Sequence, residues 1–451
     1  MVNISNGMDL GVKLKQITLL LGDVLILYAS LTITLFIRYG ELNRVIVDLH
    51  FWPFTAIFFI WLLSFYIGGL YDLRSLKNDL DFYKKFISLL ILNGVIATIL
   101  FYFLPVLGIT PKTNLFTALL IFGLASYFWR TFYNTLLSSG SPENRVLMIG
   151  YNKTVEDLTD HIAKNPQLGY ETRFWMKEGL QDKEFEHLAQ IILTNKINLI
   201  VVPAHIKKNS KAARLIYKNL VLGIEVMDLA ELYEKVFQKL PLAELEEVWF
   251  LENLSKSHKV YEFIKRPTEI ILAILLALIL TPIALLLGLL VAITSKGPAL
   301  FRQKRSGRND QEFMIYKFRT MRTDAEKNGP QWAKPNDDRT TLAGKFLRRT
   351  HLDEIPQLIN IIRGDLSFVG PRPERPEFVA HLKKDVPYFE LRLLVRPGIT
   401  GWAQINYKYG ASVEDAYEKL QYDMYYLKNR SLTLDFIILL RTVKYLFTNL
   451  K

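Results

Sequence analysis

Apolar residues collect in long runs in the first third of the chain, and short polar segments separate these runs. A helix needs about 20 apolar residues to cross the hydrocarbon core of a bilayer. Four segments meet this requirement, at about 16–37, 51–70, 86–106 and 115–134. The first contains Asp23, which costs about 3 kcal/mol at the bilayer centre, but each of its many large apolar residues returns about 0.3–0.6 kcal/mol. The pattern predicts an α-helical bundle of four transmembrane spans in residues 1–140.

Basic residues around the four spans predict their orientation, because positively charged loops stay in the cytoplasm. Those before the first span, between the second and third and after the fourth are Lys13, Lys15, Arg74, Lys77, Lys84, Lys85, Arg130 and Arg145. The loop between the third and fourth spans holds only Lys112, while the loop between the first and second, with Arg38 and Arg44, is a mild exception. Both ends of the bundle are expected to face the cytoplasm. No cleavage pattern follows the first span, so we expect an anchor that is retained.

Residues 141–250 change to short strands that alternate with amphipathic helices. Strands are predicted at 145–149, 198–202 and 223–227, and helices at about 153–164, 183–195 and 209–220. This alternation is typical of an α/β, Rossmann-like domain. The first strand ends at Gly150, but Tyr151, Asn152 and Lys153 follow, so the G-x-G-x-x-G turn that cradles a dinucleotide is absent. We expect a docking or dimerising domain, and therefore a homodimer as one possible assembly.

A further apolar run occupies 270–293 and is interrupted by Thr281 and Pro282. Basic residues flank it on both sides: Lys259, Lys265, Arg266, Lys296, Arg302, Lys304 and Arg305. Positive charge at both ends fits a segment that enters and leaves on one side, and Pro282 removes a backbone hydrogen bond at its midpoint. We interpret it as a re-entrant membrane helix. The alternative is an ordinary kinked fifth span.

Composition agrees with a membrane protein that carries soluble parts: half of the 451 residues are hydrophobic, and the net charge is +12. The mean hydropathy is +0.15. The charge fits anionic lipid, loop charge that orients spans, or an anionic substrate. No nucleic-acid-binding motif accompanies it, so a nucleic-acid partner is not expected. The absence of cysteine excludes disulfides and thiolate-bound metal, and fits soluble parts in the cytoplasm.

Short polar motifs fill the last part of the chain. They are FRQKRSG at 301–307, YKFRTM at 316–321, LRR at 347–349, LDEIPQL at 352–358, GDLS at 364–367, VGPRPE at 369–374, RPGITGWAQ at 396–404 and YDMYY at 422–426. An apolar stripe predicts a helix over 353–362, and Pro356 is tolerated only in its first turn. Asp353 and Glu354 would then lie at the helix N-terminus, where the dipole stabilises negative charge.

An ionised carboxylate in such a position can attack phosphorus, and an aspartate with a reference pKa of about 3.9 needs no base at neutral pH. Simple helix capping is the alternative for this pair. Lys317 and Arg319 alternate with Phe318 in a predicted strand, and Arg372 lies between two prolines that restrict its backbone for phosphate contact. For these the alternatives are a solvated strand edge and a rigid surface turn. Nothing in the pattern makes His351 catalytic.

This ordered set of motifs resembles the bacterial sugar transferase family, the monotopic phosphoglycosyl transferases. With the four spans and the middle domain, the chain is similar to the long polyprenyl-phosphate hexose-1-phosphate transferases, which initiate exopolysaccharide or O-antigen synthesis. The resemblance implies a mixed, mainly helical catalytic domain at 257–451 with the re-entrant helix inside it. It also implies a multi-pass protein of the bacterial inner membrane with cytoplasmic soluble domains.

By the same resemblance, Asp353 is the nucleophile and Glu354 is catalytic and holds Mg²⁺. Aspartyl attack on the β-phosphorus of a UDP-sugar would release UMP, and polyprenyl phosphate would then take the sugar phosphate. The implied substrate-binding residues are Lys317, Arg319, Arg348, Arg372, Gln404 and Asp423, with Trp402 as a further residue bordering the nucleotide. Asp423 matches an acidic family position, although a plain helix-surface carboxylate fits its charge pattern equally.

Two other functions stay open at this point. A glycosyltransferase that leaves the phosphate behind would release UDP rather than UMP. A non-catalytic membrane scaffold of polysaccharide assembly would release neither, and the intact Asp353 and Glu354 pair argues against it. The identity of the sugar depends on pocket shape and is not encoded in any of these motifs.

Overall fold

A computed structural model of the chain describes residues 5–103, 112–139, 142–177, 187–254, 258–295, 297–325, 337–407, 410 and 412–448. Internal contacts divide the chain into two units, Met1–Leu229 and Ala230–Lys451. The chain is mainly helical and contains a parallel sheet. The division proposed from the sequence, at 1–140, 141–250 and 257–451, stays a prediction.

The first unit begins with four long helices. They are α1 (Ser5–Tyr39), α2 (Arg44–Gly68), α3 (Leu80–Phe103) and α4 (Lys112–Ser139). Each predicted apolar run coincides with one of these helices. Positions 69–70 of the second run lie beyond the end of α2, and positions 104–106 of the third run lie outside the described residues. By length and composition these four helices, and one helix of the second unit, could each cross a membrane. Their shared core is rich in leucine and aromatic side chains.

A fully buried ion pair lies inside this bundle. Asp23 of α1 meets the Arg130 guanidinium of α4, and its carboxylate also accepts hydrogen bonds from Tyr71 Oη at 2.7 Å and Ser126 Oγ at 3.2 Å. Arg130 donates in addition to the Leu70 carbonyl at 3.0 Å. A buried charge is tolerable when it is paired and hydrogen-bonded. Asp23 is therefore compensated by a specific partner.

Arg130 does not belong with the loop charges. It lies inside α4, within the predicted run 115–134 itself, and is entirely buried, because its side chain pairs with Asp23 of α1. The prediction of a cytoplasmic α4 end then depends on Arg145, which lies in the predicted middle domain. The orientation of the bundle stays a prediction.

The rest of the first unit is an α/β arrangement around a four-stranded sheet. The strands are β1 (Asn144–Ile149), β2 (Tyr170–Met176), β3 (Leu199–Val202) and β4 (Glu225–Asp228). All neighbouring pairs are parallel, in the order β2-β1-β3-β4. The helices are α5 (Lys153–Ala163), α6 (Leu188–Thr194), α7 (Ala204–Lys207) and α8 (Ser210–Asn219). A parallel sheet is thus present, and the bounds of the predicted middle domain stay a prediction.

Strand β2, at the edge of this sheet, was not predicted from the sequence. Its side chains are mostly only half-buried, so it lacks the continuous apolar run by which β1 and β3 were recognised. Positions 183–186 of the predicted second helix lie outside the described residues, and the described part begins at Leu188. Gly150 has φ +90°, which ends β1 in a conformation that glycine adopts easily.

The second unit contains nine α-helices and two short strand pairs among the described residues. Its first helix begins one residue before the unit boundary, at Leu229. The helices are α9 (Leu229–Phe237), α10 (Glu247–Leu254), α11 (Lys259–Thr294), α12 (Leu342–Thr350), α13 (Leu358–Arg363), α14 (Pro376–Asp385), α15 (Trp402–Asn406), α16 (Val413–Asn429) and α17 (Leu432–Thr448). The strands are β5 (Leu300–Ser306), β6 (Glu312–Phe318), β7 (Ser367–Val369) and β8 (Gly398–Thr400). The pair β5–β6 is antiparallel, and β7–β8 is parallel.

Short 3-10 helices complete both units, at Leu73–Ser75, Pro166–Leu168, Leu220–Leu222, Leu242–Glu244, Arg308–Asp310, Leu352–Gln357 and Phe389–Leu394. The segment that follows α9 packs into the core of the second unit: Leu240, Leu242 and Phe250 join Phe389 and Met424 in one cluster. Residues from Ala230 onward are thus grouped with this unit by contacts, although the rhythm of strands and helices had placed them in the middle domain.

The apolar run 270–293 lies in α11, a continuous helix of 36 residues that includes Pro267 and Pro282. Next to Pro282, the Thr281 hydroxyl donates to the Ala277 carbonyl at 2.6 Å. Few residues of this segment are buried in the protein, so most of its apolar surface needs an apolar solvent. At the start of the helix, buried Lys265 instead binds Asp435 of α17 at 3.0 Å. This ion pair fastens α11 to the second unit.

Candidate active site

A cavity of about 570 Å³ opens in the second unit. Its walls are the β5–β6 hairpin, the segment after β6, the end of α12, the 3-10 helix Leu352–Gln357 and the segment before α14. The lining residues are Phe301, Gln303, Arg305, Lys317, Phe318, Arg319, Thr320, Met321, Arg322, Thr323, Ala325, Arg339, Arg348, His351, Asp353, Glu354, Arg372, Glu374, Arg375 and Phe378. Most of the charged residues are basic. The cavity therefore suits an anionic ligand.

Asp353 and Glu354 both line the cavity, but their backbone differs from the predicted helix. Leu352–Gln357 is a 3-10 helix, and the α-helix begins only at Leu358. Proline lacks an N–H and disfavours α-helical backbone in the residue before it, so Pro356 delays the start of α13. The pair therefore lies in a tight turn before the helix. His351, with φ +55°, separates this turn from α12.

Glu354 is held by two cations. Its Oε1 lies 3.0 Å from Lys317 Nζ and 3.4 Å from Arg372 Nη2. Burial alone would raise the pKa of this carboxyl, but the charges of Lys317 and Arg372 outweigh it and hold the pKa at about 2. Glu354 is thus ionised throughout the physiological range. The pair with Lys317 also ties β6 to the 3-10 helix.

Asp353 has a different electrostatic setting from its neighbour. It is only 7% exposed, and burial raises its pKa although Lys317 opposes the shift; the adjacent Glu354 charge raises the pKa further. The reference pKa of aspartate therefore does not apply to Asp353, because that value belongs to a solvated carboxylate. A less stabilised carboxylate is also a stronger base and a better nucleophile once it is ionised.

Arg372 is positioned by a chain of polar contacts behind the cavity. Arg392 Nη2 donates to the Arg372 carbonyl at 3.0 Å and lies 2.9 Å from Asp423 Oδ2. Asp423 is 1% exposed, and burial raises its pKa to about 6 although Arg392 opposes the shift. Asp423 was predicted to bind substrate, but it lies outside the cavity lining and contacts Arg392 instead. It acts on the cavity only through Arg392.

The remaining predicted residues divide into two groups. Arg319 and Arg348 line the cavity, and Arg348 Nε donates to Thr320 Oγ1 at 2.8 Å. Gln404 does not reach it: its Nε2 donates to the Ile399 carbonyl at 3.0 Å, because α15 begins directly after β8 and turns this side chain back onto the strand. Trp402 is buried against Tyr425, with ring centroids 5.5 Å apart.

Several lining residues were not singled out from the sequence. Arg375 follows the VGPRPE motif directly, so the run rich in proline and arginine at 371–376 could have indicated it. Arg339, which lines the cavity, and Arg392, which lies behind it, belong to no such motif. Their positions depend on contacts between distant segments, such as that of Arg392 with Asp423, and no local pattern carries that information.

The carboxylates of the cavity fit a magnesium ion that also binds a substrate. Within the described residues, no group of three or more His, Cys, Asp or Glu side chains is placed to hold a metal ion. Mg²⁺ usually takes one or two carboxylates and completes its shell with water and substrate phosphates. Glu354 and the adjacent Asp353 offer such carboxylates at the cavity wall. The residues therefore fit a metal that binds together with a phosphate ligand.

The second unit thus combines a basic cavity that holds the carboxylates of Asp353 and Glu354 with a long apolar helix, an arrangement that suits an enzyme acting on an anionic substrate at a membrane. Residues 260–449 match the model of the family described as bacterial sugar transferase. The chain belongs to the bacterial sugar transferase family.

Similar proteins have related names. The chain is 40% identical over 189 residues to the UDP-N-acetylgalactosamine-undecaprenyl-phosphate N-acetylgalactosaminephosphotransferase of Aeromonas hydrophila, a match that covers 42% of this chain and 45% of that protein. It is 30% identical over 338 residues to a UDP-glucose:undecaprenyl-phosphate glucose-1-phosphate transferase of Klebsiella pneumoniae, covering 72% and 70% of the two chains. The corresponding transferase of Xanthomonas campestris pv. campestris is 29% identical over 336 residues, covering 69% and 68%. The chain thus matches less than half of the Aeromonas protein and about two thirds of the other two.

Proposed function

We propose that this protein transfers a sugar-1-phosphate from a UDP-sugar to polyprenyl phosphate, giving polyprenyl-diphospho-sugar and UMP. The observation that carries the proposal is the buried Asp353 beside Glu354, Lys317 and Arg372 in one basic cavity. The names of the relatives from Aeromonas, Klebsiella and Xanthomonas support the same reaction class. We infer that this is the first membrane step of exopolysaccharide or O-antigen synthesis.

The reaction proceeds in two displacements at one phosphorus. A carboxylate oxygen of Asp353 attacks the β-phosphorus of the UDP-sugar, the bond to the bridging oxygen breaks, and UMP leaves with that oxygen. An oxygen of the polyprenyl phosphate then attacks the phosphorus of the aspartyl-phosphosugar, and the Asp353 carboxylate is released. Both attacking groups are anions, so the cationic lining stabilises the charge that collects at phosphorus.

Each charged residue has a distinct part in this scheme. Lys317 and Arg372 contact the diphosphate, and Arg348 and Arg319 contribute further positive charge. Glu354 holds Mg²⁺, with Asp353 adjacent to it. When bound, the ion supplies charge neutralisation and orientation of the phosphate oxygens. Gln404 and Asp423 are not assigned to the substrate, because both side chains are engaged elsewhere.

Identification of the released nucleotide tests the reaction. The purified full-length protein is incubated with undecaprenyl phosphate, Mg²⁺ and a panel of UDP-sugars labelled in the β-phosphate. Release of UMP and transient label on the protein are expected for the correct sugar. UDP as the product would instead indicate a glycosyltransferase, and no nucleotide release with any donor would favour a non-catalytic scaffold.

For the membrane arrangement, we propose four spans in the bacterial inner membrane, cytoplasmic soluble domains and a re-entrant α11. Basic residues at both ends of the apolar run support a helix that returns to the same side. A helix of this length could also cross the bilayer, which would place the cavity on the side opposite the start of α11. A cytoplasmic UDP-sugar requires the re-entrant arrangement. Assembly into a homodimer through residues 141–250 stays a prediction that light scattering in detergent can test.

Accessibility of single cysteines distinguishes the two arrangements, since the chain contains no cysteine of its own. Lys259 and Arg308 are both exposed and flank the apolar run. A membrane-impermeant thiol reagent should label neither Lys259→Cys nor Arg308→Cys in intact cells, and both after the inner membrane is opened. Labelling of Arg308→Cys alone in intact cells would establish a fifth span.

A further inference from the structure

A second cavity adjoins the candidate active site. It measures about 600 Å³ and is lined by Pro298, Ala299, Leu300, Phe301, Arg302 and Arg319. Phe301 and Arg319 also line the first cavity. Four of its six lining residues are apolar, whereas most of the residues that line the first cavity are polar or charged. We call this second cavity the apolar groove.

The apolar groove lies close to the end of the most apolar helix in the molecule. Helix α11 ends at Thr294, and the groove begins at Pro298, only a few residues later. Leu300 and Phe301 are each 39% exposed, and Ile293 near the end of α11 is 75% exposed. Exposed apolar residues beside a cavity mark contact with a membrane or an apolar ligand. The groove therefore follows an exposed apolar helix end in the chain and shares Phe301 and Arg319 with the basic cavity.

Arg319 stands where the two cavities meet, and a glycine makes room for it. Gly297 has φ +106°, and a Cβ built on it would lie 2.6 Å from Arg319 Nη1. The Arg319 backbone N–H also donates to the Ala299 carbonyl at 2.8 Å, which fixes the strand end against the groove. The side chain is only 7% exposed. A buried guanidinium is thus held in place between an apolar groove and a catalytic cavity.

We propose that the apolar groove and Arg319 bind the lipid acceptor, with Arg319 on its phosphate and the groove around its first isoprenoid units. This inference rests on the proposed function. A polyprenyl phosphate has an anionic head and an apolar tail, so it needs a cation that adjoins an apolar channel. A UDP-sugar is polar along its whole length and gains nothing from that channel. Arginine suits the phosphate because its guanidinium can donate two parallel hydrogen bonds.

The acceptor then enters from the side of the membrane and meets the aspartyl-phosphosugar. A phosphate oxygen held by Arg319 attacks phosphorus, the bond to the Asp353 carboxylate oxygen breaks, and the carboxylate is regenerated. No proton or further reactant is needed. The structure thus assigns the groove to the second displacement and the larger basic cavity to the first.

The two displacements can be measured separately on the full-length protein. Label uptake from a β-labelled UDP-sugar is followed without acceptor, and label loss is followed after undecaprenyl phosphate is added. Arg319→Met should reduce the rate of label loss, relative to the wild type, by a factor at least about ten times larger than the factor by which it reduces the rate of label uptake. The reason is that only label loss uses the acceptor. Gly297→Ala should act in the same direction through displacement of the guanidinium.

A variant inside the groove addresses the lipid tail. Leu300→Asp should raise the undecaprenyl phosphate concentration for half-maximal discharge by about tenfold, because a charge there opposes burial of apolar chain. The matched control is Lys304→Met, on the same hairpin but outside both cavities, where Lys304 pairs with Glu312 at 2.8 Å. It should leave both rates close to those of the wild type.

Three results would overturn the assignment. Equal slowing of uptake and discharge in Arg319→Met would place this arginine on the donor or in the fold alone. An unchanged acceptor concentration for half-maximal discharge in Leu300→Asp would exclude the apolar groove as the binding site of the lipid tail. An effect of Leu300→Asp in phospholipid nanodiscs but not in detergent micelles would mean that the groove holds bilayer lipid. Failure of the proposed function is distinguishable, because wild-type protein would then never take up label.

Discussion

Asp23 and Glu354 are both largely removed from solvent and both meet cations, but their surroundings differ. Asp23 in the first unit is enclosed by Arg130, Tyr71 and Ser126, which all bind it. Glu354 in the second unit binds Lys317 and Arg372 but forms part of a cavity wall. Both groups compensate a buried charge, but only the second leaves room for a ligand.

The comparison shows that burial and ion pairing do not by themselves mark a functional site. A carboxylate inside a membrane segment is a functional candidate by default, and Asp23 would qualify by that criterion. What separates Glu354 is the adjoining space and a second carboxylate, Asp353, whose pKa burial raises while that of Glu354 is held at about 2. Two adjacent acids with opposite shifts indicate a division of chemical roles.

The largest effect is expected for Asp353→Asn, which removes the nucleophilic charge and keeps the shape. Transfer should fall by about 10⁴-fold or more, and the variant should take up no label from a β-labelled UDP-sugar. The control is Asp385→Asn, an exposed aspartate at the end of α14, which should label normally. Label on Asp353→Asn would refute the covalent mechanism.

The pH dependence of label uptake tests the same residue. Burial raises the pKa of Asp353, so protonation should begin to slow uptake at a higher pH than for a solvated aspartate. Uptake should fall about tenfold per pH unit below that pKa. Glu354, with a pKa of about 2, stays ionised there. A rate that is flat down to pH 4 would contradict the raised pKa.

Glu354→Gln should have the next largest effect, a loss of about 10²-fold to 10³-fold in turnover. The amide cannot compensate Lys317 and Arg372 or hold Mg²⁺ as a carboxylate does. The Mg²⁺ concentration for half-maximal activity should rise in parallel. Glu312→Gln on the hairpin is the matched control, since that side chain is exposed. Normal turnover with unchanged Mg²⁺ dependence would reduce Glu354 to a structural role.

A smaller effect is expected for Asp423→Asn, because this residue acts only through Arg392. Misplacement of Arg372 should lower transfer by about 10-fold to 100-fold, mostly through KM for the UDP-sugar. Glu414→Gln, exposed in the first turn of the same helix, should change neither constant.

A pH profile separates this positioning role from a merely structural one. The pKa of Asp423 is raised to about 6, so its ion pair with Arg392 is complete above that pH and weakens as the pH falls through it. The wild-type KM should therefore rise below pH 6. In Asp423→Asn the KM should be high at every pH and should not rise further below pH 6. A rise that persists in this variant would show that another group titrates.

The smallest effect on turnover is expected for Asp23→Asn. Loss of one partner of a buried ion pair typically costs about 3–5 kcal/mol, so the fraction of protein that survives heating should fall. Activity per folded molecule should stay within about twofold, because the cavity belongs to the second unit. The double variant Asp23→Leu, Arg130→Leu should recover much of the stability. A large loss of turnover in folded Asp23→Asn would give the bundle a catalytic role.

Periodicity and length were sufficient to find the long helices, and continuous apolar runs were sufficient for β1 and β3. They failed for β2, a half-buried edge strand, and for Arg130, whose burial depends on a partner more than 100 positions away in the sequence. At the site, the sequence motifs were sufficient to identify Asp353, Glu354 and Arg372, which line one cavity. They could not show that Asp423 meets Arg392, because that contact joins segments by tertiary packing alone.

The pairing of Glu354 with Lys317 and Arg372 has a thermodynamic consequence for ligand order. A donor diphosphate draws the same two cations toward its own oxygens, which frees Glu354 to share its charge with a metal ion. Donor and metal should therefore bind with positive coupling, and by linkage each should raise the affinity of the other by the same factor. Titration calorimetry on Asp353→Asn, which cannot turn over, should show tighter Mg²⁺ binding with UDP present than without it. Equal affinities would mean that the carboxylate keeps its cations throughout the cycle.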